Sequence, residues 1–138
     1  MISNLLTVSN SVFRGGQPDV EGFAQLKAIG VTQVIKLNTD HEGCDDAVLG
    51  MGMELVKNPI SLAQQLFTEP DILSLRSVVA FIKPKTFIHC THGQDRTGLV
   101  VAIYRTTQGW SKPDAQKEML DKGFHKALLG LWECWLNL

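Results

Sequence analysis

Two residues with reactive side chains, Cys90 and Arg96, are separated by five residues in the stretch His-Cys-Thr-His-Gly-Gln-Asp-Arg-Thr-Gly at positions 89–98. An apolar run precedes this stretch and another follows it, as expected for a strand, a short loop and a helix. A cysteine thiolate is a nucleophile, and the planar guanidinium of arginine can hold two phosphate oxygens at once. The spacing therefore predicts a loop that binds a phosphate group and attacks its phosphorus.

The backbone between Cys90 and Arg96 is predicted to surround the phosphate. A short loop that enters a helix can turn successive N–H groups inward, and the helix N-terminus adds partial positive charge. Gly93 allows a backbone turn that a side chain would hinder. The inward N–H groups and Arg96 are expected to favour the thiolate form of Cys90. Thr97 is expected to hydrogen-bond the sulfur when the phosphate leaves.

Because the decapeptide fits the pattern H-C-x5-R-[S/T]-G, it resembles the signature of cysteine-dependent protein tyrosine and dual-specificity phosphatases. Further similarity to small bacterial dual-specificity phosphatases lies in residues 13–18, 34–38, 104–105 and 109–111, so the resemblance covers most of the chain. It implies a metal-independent phosphatase that forms a phosphocysteine at Cys90 and needs no cofactor. The implied partner is a phosphorylated protein or a small phosphate ester.

Several carboxylates compete for the role of the acid that protonates the leaving group. The family usually takes this proton from an aspartate on a separate loop, but the matching segment, residues 58–71, has no carboxylate in its early part. Asp95 gives a C-x4-D-R-T pattern that resembles the loops of myotubularin-type and Sac-type phosphoinositide phosphatases, and in myotubularins such an aspartate has been proposed as the acid. Glu69 and Asp71 are alternatives, and the acids within residues 40–46 are a more distant one. An enzyme without a dedicated acid would favour good leaving groups such as aryl phosphates.

The combined interpretation gives every residue of the loop a role. Catalysis is assigned to Cys90, Arg96, Asp95 and Thr97, substrate binding to Thr91, His92, Gly93, Gln94, Asp95 and Arg96, and no residue to a metal. Asp95 and the loop histidine also leave a phosphoinositide or inositol phosphate phosphatase as an alternative. A second alternative is a non-catalytic phosphate-binding pseudophosphatase, against which the retention of both Cys90 and Arg96 argues.

Residues outside the loop carry further hypotheses. His89 either orients the loop by hydrogen bonding or is a buried histidine with satisfied partners. Arg14 could brace the loop or touch substrate, but it is interpreted as a surface residue before a turn, and Lys36 as a solvated strand end. Cys44 resembles, by its placement after a strand, the partner cysteine that forms a reversible disulfide with the nucleophile in some dual-specificity and phosphoinositide phosphatases. The alternative for Cys44 is an inert loop cysteine.

Length and composition predict one catalytic domain over residues 1–138. The formal net charge of −1 gives no overall field that attracts nucleic acid. No apolar run approaches the roughly 20 residues of a membrane span, so no membrane insertion is expected. The three cysteines do not suggest a disulfide framework, and together with an N-terminus that lacks a basic flank they favour a reducing, cytoplasmic location. The oligomeric state is left open.

Together with the resemblance, the pattern of elements predicts a single-domain, tyrosine-phosphatase-like α/β fold with a mostly parallel central sheet flanked by helices. Helices are predicted after Asp19, Asp71 and Ser111, whose side chains can serve as N-caps. The remaining predicted elements are strands at 32–37, 54–56 and 86–89, and helices at 47–51, 99–104 and 126–135. The active loop then lies between a central strand and a buried helix, where open α/β sheets bind ligands.

Overall fold

The strand that leads into the cysteine loop lies in the middle of a five-stranded sheet. The computed structural model describes residues 2–138. The strands follow the spatial order β1 (Leu6–Ser9), β2 (Val12–Gly15), β5 (Thr86–His89), β3 (Gln33–Lys36) and β4 (Glu54–Lys57). β1 pairs antiparallel with β2, and every other pairing is parallel. The predicted mostly parallel sheet is therefore confirmed, with β5 at its centre.

Seven helices lie around this sheet within the described residues. They are α1 (Val20–Ala28), α2 (Asp46–Gly50), α3 (Leu62–Leu66), α4 (Ile72–Ala80), α5 (Arg96–Thr107), α6 (Lys112–Asp121) and α7 (Leu129–Leu136). In this part of the chain, none of them is both long enough and apolar enough to span a bilayer.

The alternation of side chains along the strands divides the core into two clusters, because neighbouring residues of a strand face opposite sides of the sheet. Val34 and Phe87 belong to a cluster with apolar side chains of α1 and α2. Their chain neighbours Ile35 and Ile88 belong to a larger cluster with side chains from α4 to α7. Helix α5 is central to that cluster, with residues 97–103 all buried. The predicted buried helix after the loop is confirmed.

The three predicted N-caps are present. Asp19 accepts a hydrogen bond from the Gly22 N–H at 2.7 Å, Asp71 from Leu73 at 3.0 Å and Ser111 from Asp114 at 3.2 Å. Each side chain satisfies an N–H group that the first helical turn leaves without a backbone partner. These caps explain why the starts of α1, α4 and α6 could be located from sequence.

Three short elements were not predicted. β1 and β2 have four residues each and α3 has five, too few to show a clear apolar period. Helix α3 is specified instead by a capping box, in which the side chains of Ser61 and Gln64 bond each other's backbone N–H groups. The last helix begins at Leu129 rather than at the predicted residue 126, after a turn that ends at Leu128.

Lys36 and Arg14 are buried, so their interpretation as surface residues is wrong. Lys36 is fully buried, and its ammonium lies 3.4 Å from the carboxylate of the equally buried Asp45. Arg14 is 2% exposed and donates from Nη2 to the carbonyl oxygen of Gly93 at 2.9 Å. Both residues lie on strands that flank β5 and are paired on both edges, which removes them from solvent.

Candidate active site

The carbonyl groups of the active loop, residues 90–96, are held from outside the loop. The oxygens of residues 90 to 93 lie, in order, 3.1 Å from His89 Nδ1, 3.0 Å from the backbone nitrogen of Gln17, 2.8 Å from Asn4 Nδ2 and 2.9 Å from Arg14 Nη2. Four consecutive carbonyls are thus fixed outward by groups that come from four different places in the sequence.

Outward carbonyls leave inward N–H groups, because the two point in opposite directions across a trans peptide. The Gly93 N–H accordingly points to Cys90 Sγ, at an N···S distance of 3.3 Å. Gly93 has φ of +76°, and a Cβ there would lie 2.4 Å from the backbone carbon of Gly15. The predicted need for glycine therefore has two causes, a left-handed conformation and a close backbone approach. The result is a preformed anion-binding nest around the thiol.

Two buried atoms of the loop and its helix have no hydrogen-bond partner among residues 2–138. They are Arg96 Nε and Thr97 Oγ1, and Cys90 itself is 3% exposed. Buried polar groups are nearly always satisfied, so unsatisfied donors at a nucleophile indicate a place for a ligand. The hydrogen bond from Thr97 to the cysteine sulfur stays a prediction.

Glu42 holds the guanidinium of Arg96 in place. Arg96 Nη1 donates to Glu42 Oε2 at 2.8 Å and Nη2 to Glu42 Oε1 at 2.6 Å, as a bidentate pair. Nη1 also donates to the carbonyl oxygen of Ile60 at 2.9 Å. These contacts occupy one edge of the guanidinium and leave the Nε edge for a phosphate oxygen.

The pair with Arg96 also fixes the charge of Glu42. The hydrogen bonds from Arg96 hold the pKa of Glu42 far below its ordinary value, those from Thr39 and Thr91 lower it further, and burial opposes this only in part. Glu42 is therefore an ionised acceptor near neutral pH, and it is a poor proton donor.

The side chain of Thr91 belongs to the support of the site. Its hydroxyl donates to Glu42 Oε1 at 2.9 Å and accepts from Asn38 Nδ2 and Arg96 Nη2, both at 3.1 Å. Thr91 can therefore offer a substrate its backbone N–H but not its hydroxyl. The predicted role of Thr91 in substrate binding therefore concerns its backbone N–H group.

Asp95, the first candidate for the acid, is bound to a neighbouring loop. Its Oδ1 accepts from the backbone N–H of His125 at 2.8 Å and lies 3.0 Å from His125 Nδ1. These contacts tie the active loop to the segment between α6 and α7. The side chain of Gln94 lies against the same segment, since a Cβ on Gly123 would meet Gln94 Nε2 at 2.5 Å.

Most of the other acid candidates also have partners. Asp71 caps α4, and both oxygens of Glu69 accept from Asn137 Nδ2, at 3.1 and 3.2 Å. Asp40 forms an exposed ion pair with Lys57. Asp45 is buried and lies 2.6 Å from His89 Nε2. His89 thus fulfils both of its interpretations, as a buried histidine that also contacts the loop.

Two residues at the edge of the site are exposed. The side chain of His92 is exposed, and its role in substrate binding stays a prediction that depends on its place in the loop. Cys44 is an exposed free thiol on the same segment as Glu42, while Cys90 is buried and also free. A Cys44–Cys90 disulfide stays a prediction. Cys134 is buried in α7, and burial raises the pKa of its thiol to about 11, which suits the predicted structural role.

Sequence reasoning missed four supporting residues, Asn4, Gln17, Glu42 and Asp45. A usable signal existed for the last two. The segment after β3 leaves the carboxyl edge of a parallel strand beside β5, so its polar side chains had to lie near the active loop. Asn4 and Gln17 gave no such signal, because the hairpin β1–β2 that places them was not predicted.

Comparison with known proteins points to phosphatases with a cysteine loop of this kind. The family model described as "Tyrosine phosphatase family" matches residues 1–121. The dual specificity protein phosphatase TpbA of Pseudomonas aeruginosa is 33% identical over 124 residues, which cover 88% of this chain and 55% of that protein. The inositol diphosphatase DSP5 of Arabidopsis thaliana is 27% identical over 118 residues, 78% of this chain and 55% of that protein. This chain therefore spans little more than half the length of these relatives.

Solved structures agree on the fold. Tk-PTP in its active form superposes with a TM-score of 0.78 over all of both chains, at 22% identity. A crystal structure of P. aeruginosa TpbA in complex with pTyr gives a TM-score of 0.72 at 25% identity, covering 98% of this chain and 91% of that one. With the cysteine loop, its strand-to-helix setting and the family match over most of its length, the chain belongs to the tyrosine phosphatase family.

Proposed function

We propose that this chain hydrolyses phosphate monoesters through a phosphocysteine at Cys90, as a protein tyrosine or dual-specificity phosphatase. The observation that carries the proposal is the combination of a buried thiol, inward N–H groups and an unpartnered Arg96 Nε at one point. The phosphotyrosine complex of TpbA and the similarity of this chain to TpbA support the same substrate class.

In the first step, the Cys90 thiolate attacks phosphorus. The S–P bond forms while the P–O bond to the leaving group breaks, and charge spreads over the three remaining oxygens. The inward N–H groups and the Nε edge of Arg96 are already oriented toward these oxygens, so little reorganisation accompanies the charge shift. Glu42 contributes by keeping the guanidinium in that orientation.

In the second step, water attacks the phosphocysteine. The P–S bond breaks, inorganic phosphate is released and the sulfur returns to the thiolate. The same N–H groups stabilise both transition states, since both place negative charge on the same three oxygens. The buried hydroxyl of Thr97 is proposed to donate to the departing sulfur.

The leaving group is proposed to depart with little help from a carboxylic acid. The three leading candidates for the acid already have partners: Asp95 has His125, Glu69 has Asn137, and Asp71 caps a helix. Without a dedicated acid, the rate depends on how well the leaving oxygen carries negative charge. A phenolate does this better than an alkoxide, which favours phosphotyrosine over phosphoserine.

Asp95→Asn is expected to lower kcat by less than about threefold, and equally on 4-nitrophenyl phosphate and on an alkyl phosphate. The physical reason is that the amide oxygen can still accept the His125 N–H, while loss of a general acid would cost about 10²–10⁴-fold and fall mainly on the alkyl ester. Steady-state rates on both esters measure the difference, with Asp114→Asn on the exposed start of α6 as the matched control. A selective loss on the alkyl phosphate would instead establish Asp95 as the acid.

An inositol diphosphate is the second candidate substrate. It is favoured by the 27% identity to the inositol diphosphatase DSP5. It also suits a site without a dedicated acid, because cleavage of a phosphoanhydride releases a phosphate group that carries its own negative charge.

The test is a substrate panel with the native protein. A phosphotyrosine peptide, the same peptide with phosphoserine, and an inositol that carries a diphosphate group with a phosphoanhydride bond are compared by their rates of release of inorganic phosphate. We expect kcat/KM for phosphotyrosine to exceed that for phosphoserine by about tenfold or more, because of the better leaving group.

Two other outcomes would change the assignment. A tenfold preference for the inositol diphosphate over phosphotyrosine would select the second candidate. Binding of inorganic phosphate without turnover of any substrate would show a phosphate-binding module instead of an enzyme.

A further inference from the structure

The ring of His89 is fixed between two hydrogen-bond acceptors beneath the active loop. Nδ1 lies 3.1 Å from the carbonyl oxygen of Cys90, and Nε2 lies 2.6 Å from Asp45 Oδ2. Phe87 stacks on the ring at 5.6 Å between centroids, and Phe23 meets it edge-on at 6.3 Å. With the ring packed against two aromatic side chains and the residue fully buried, the two nitrogens keep these partners.

Both contacts require a hydrogen. A carbonyl oxygen can only accept, so Nδ1 must carry a proton. The contact between Nε2 and Asp45 needs a second proton, which belongs either to the imidazole or to the carboxyl group. A neutral histidine has only one N–H, so the state of Asp45 decides the charge of His89.

The other partners of Asp45 favour its carboxylate form. Lys36 can only donate, and its ammonium lies 3.0 Å from Gln17 Oε1, which fixes the orientation of that amide. Gln17 Nε2 therefore donates to Asp45 Oδ1 at 2.8 Å, and the Lys36 ammonium lies 3.4 Å from the same oxygen. Oδ1 thus accepts a hydrogen bond from Gln17 and lies beside the positive charge of Lys36. Both contacts stabilise the carboxylate over the neutral acid, which places the remaining proton on His89.

We propose that Asp45 is a positioning residue that keeps His89 doubly protonated, so that a buried imidazolium lies directly behind the nucleophile. This inference rests on the proposed function for its catalytic meaning, but not for its geometry. The inference depends on two observations. Each ring nitrogen of His89 faces an oxygen, and a hydrogen-bond donor and a positive charge lie beside Asp45 Oδ1.

The pKa of Asp45 agrees with this arrangement. Burial by itself raises that pKa, but the hydrogen bond from His89, the hydrogen bond from Gln17 and the charge of Lys36 together bring it below its ordinary value. The carboxylate is therefore the stable form in the folded protein.

The imidazolium adds a positive charge beside the loop to that of Arg14, which donates to the Gly93 carbonyl. Arg96 is paired with Glu42, so much of its charge is already compensated. Lys36, Asp45 and His89 together carry one net positive charge, all three side chains being fully buried. The charged and titratable groups of this layer are Asp45 before α2, Lys36 on β3, Cys90 and Arg96 of the loop, Glu42 before α2 and Arg14 on β2. His89 contacts the carbonyl oxygen of Cys90, so its positive charge favours the thiolate, together with that of Arg14.

The first test uses the native protein labelled with ¹⁵N at histidine. Both ring nitrogens of His89 are expected to show the shifts of a protonated imidazolium at pH 8, with the signals of the exposed His41 and His92 as internal references. A neutral pattern for His89 at that pH would overturn the proposal, whatever the enzyme turns over.

The second test is Asp45→Asn with Asp46→Asn as the matched control. The amide is isosteric with the carboxylate, can still accept from Gln17, and can donate to an unprotonated Nε2, so His89 becomes neutral with its contacts kept. The pH midpoint for alkylation of Cys90 by iodoacetamide is expected to rise by about 1 pH unit, and the exposed Asp46→Asn is expected to leave it unchanged. An unchanged midpoint in folded Asp45→Asn would contradict the proposed role.

The two proposals fail separately. Neither the ¹⁵N shifts nor the alkylation of Cys90 requires substrate turnover. A protein that shows the imidazolium but hydrolyses no phosphate ester would refute only the proposed function. An active phosphatase with a neutral His89 would refute only the role of Asp45.

Discussion

Cys90→Ser is expected to reduce turnover of 4-nitrophenyl phosphate by about 10⁴-fold or more, because removal of a catalytic nucleophile ranks among the largest single losses in enzymes. A serine hydroxyl stays protonated near neutral pH, so the variant lacks the anionic nucleophile that the first step requires. Binding of inorganic phosphate is expected to stay within the same order of magnitude, since the inward N–H groups and Arg96 are unchanged. Initial rates and calorimetric titration with phosphate measure the two effects.

The matched control is Cys44→Ser, which replaces an exposed thiol, assayed under reducing conditions. It is expected to keep native turnover. If Cys90→Ser retained more than a hundredth of the native rate, the phosphocysteine mechanism would be wrong. If it lost phosphate binding as well, the serine would have disturbed the loop and the experiment would be repeated with Cys90→Ala.

Arg96→Lys is expected to lower kcat/KM by about 10²–10³-fold, the usual loss when one preorganised transition-state donor is removed. Arg96 makes four hydrogen bonds, to both oxygens of Glu42, to the carbonyl of Ile60 and to the Thr91 hydroxyl, while its Nε remains for substrate. A lysine ammonium is a point charge with three donors and cannot reproduce this planar arrangement.

Most of the loss should appear in kcat. The Arg96 guanidinium binds the negative charge on the phosphate oxygens more strongly in the transition state than in the ground state. Arg76→Lys on the exposed face of α4 is the control, with native kcat/KM expected. Retention of more than a tenth of kcat/KM by Arg96→Lys would mean that catalysis depends on the positive charge at position 96 and not on the planar geometry of the guanidinium.

The sequence predicted well those features that depend on neighbouring residues. The cysteine loop, the buried helix after it and the caps at Asp19, Asp71 and Ser111 are each specified within a few positions. The parallel sheet followed from the alternation of strands and helices.

Features that join distant segments could not be predicted in the same way. The partners of Arg96 and His89, which are Glu42 and Asp45, lie 54 and 44 residues away in the chain. Arg14 and Lys36 looked like surface residues because a charged side chain on a short strand gives no local sign of burial. Their burial depends on which strands lie on either side, which is a property of the whole sheet.

Asn4 is the most peripheral of the four groups that hold the carbonyls of the active loop. It lies in an exposed segment with a left-handed backbone, at φ of +53°, and yet it donates to the carbonyl oxygen of His92. Exposed segments with few buried contacts open locally at a much smaller free-energy cost than the core does. Local opening of this segment releases the carbonyl of His92 while the carbonyls of Cys90, Thr91 and Gly93 stay held, so the loop can loosen at this one peptide without unfolding of the sheet and helices.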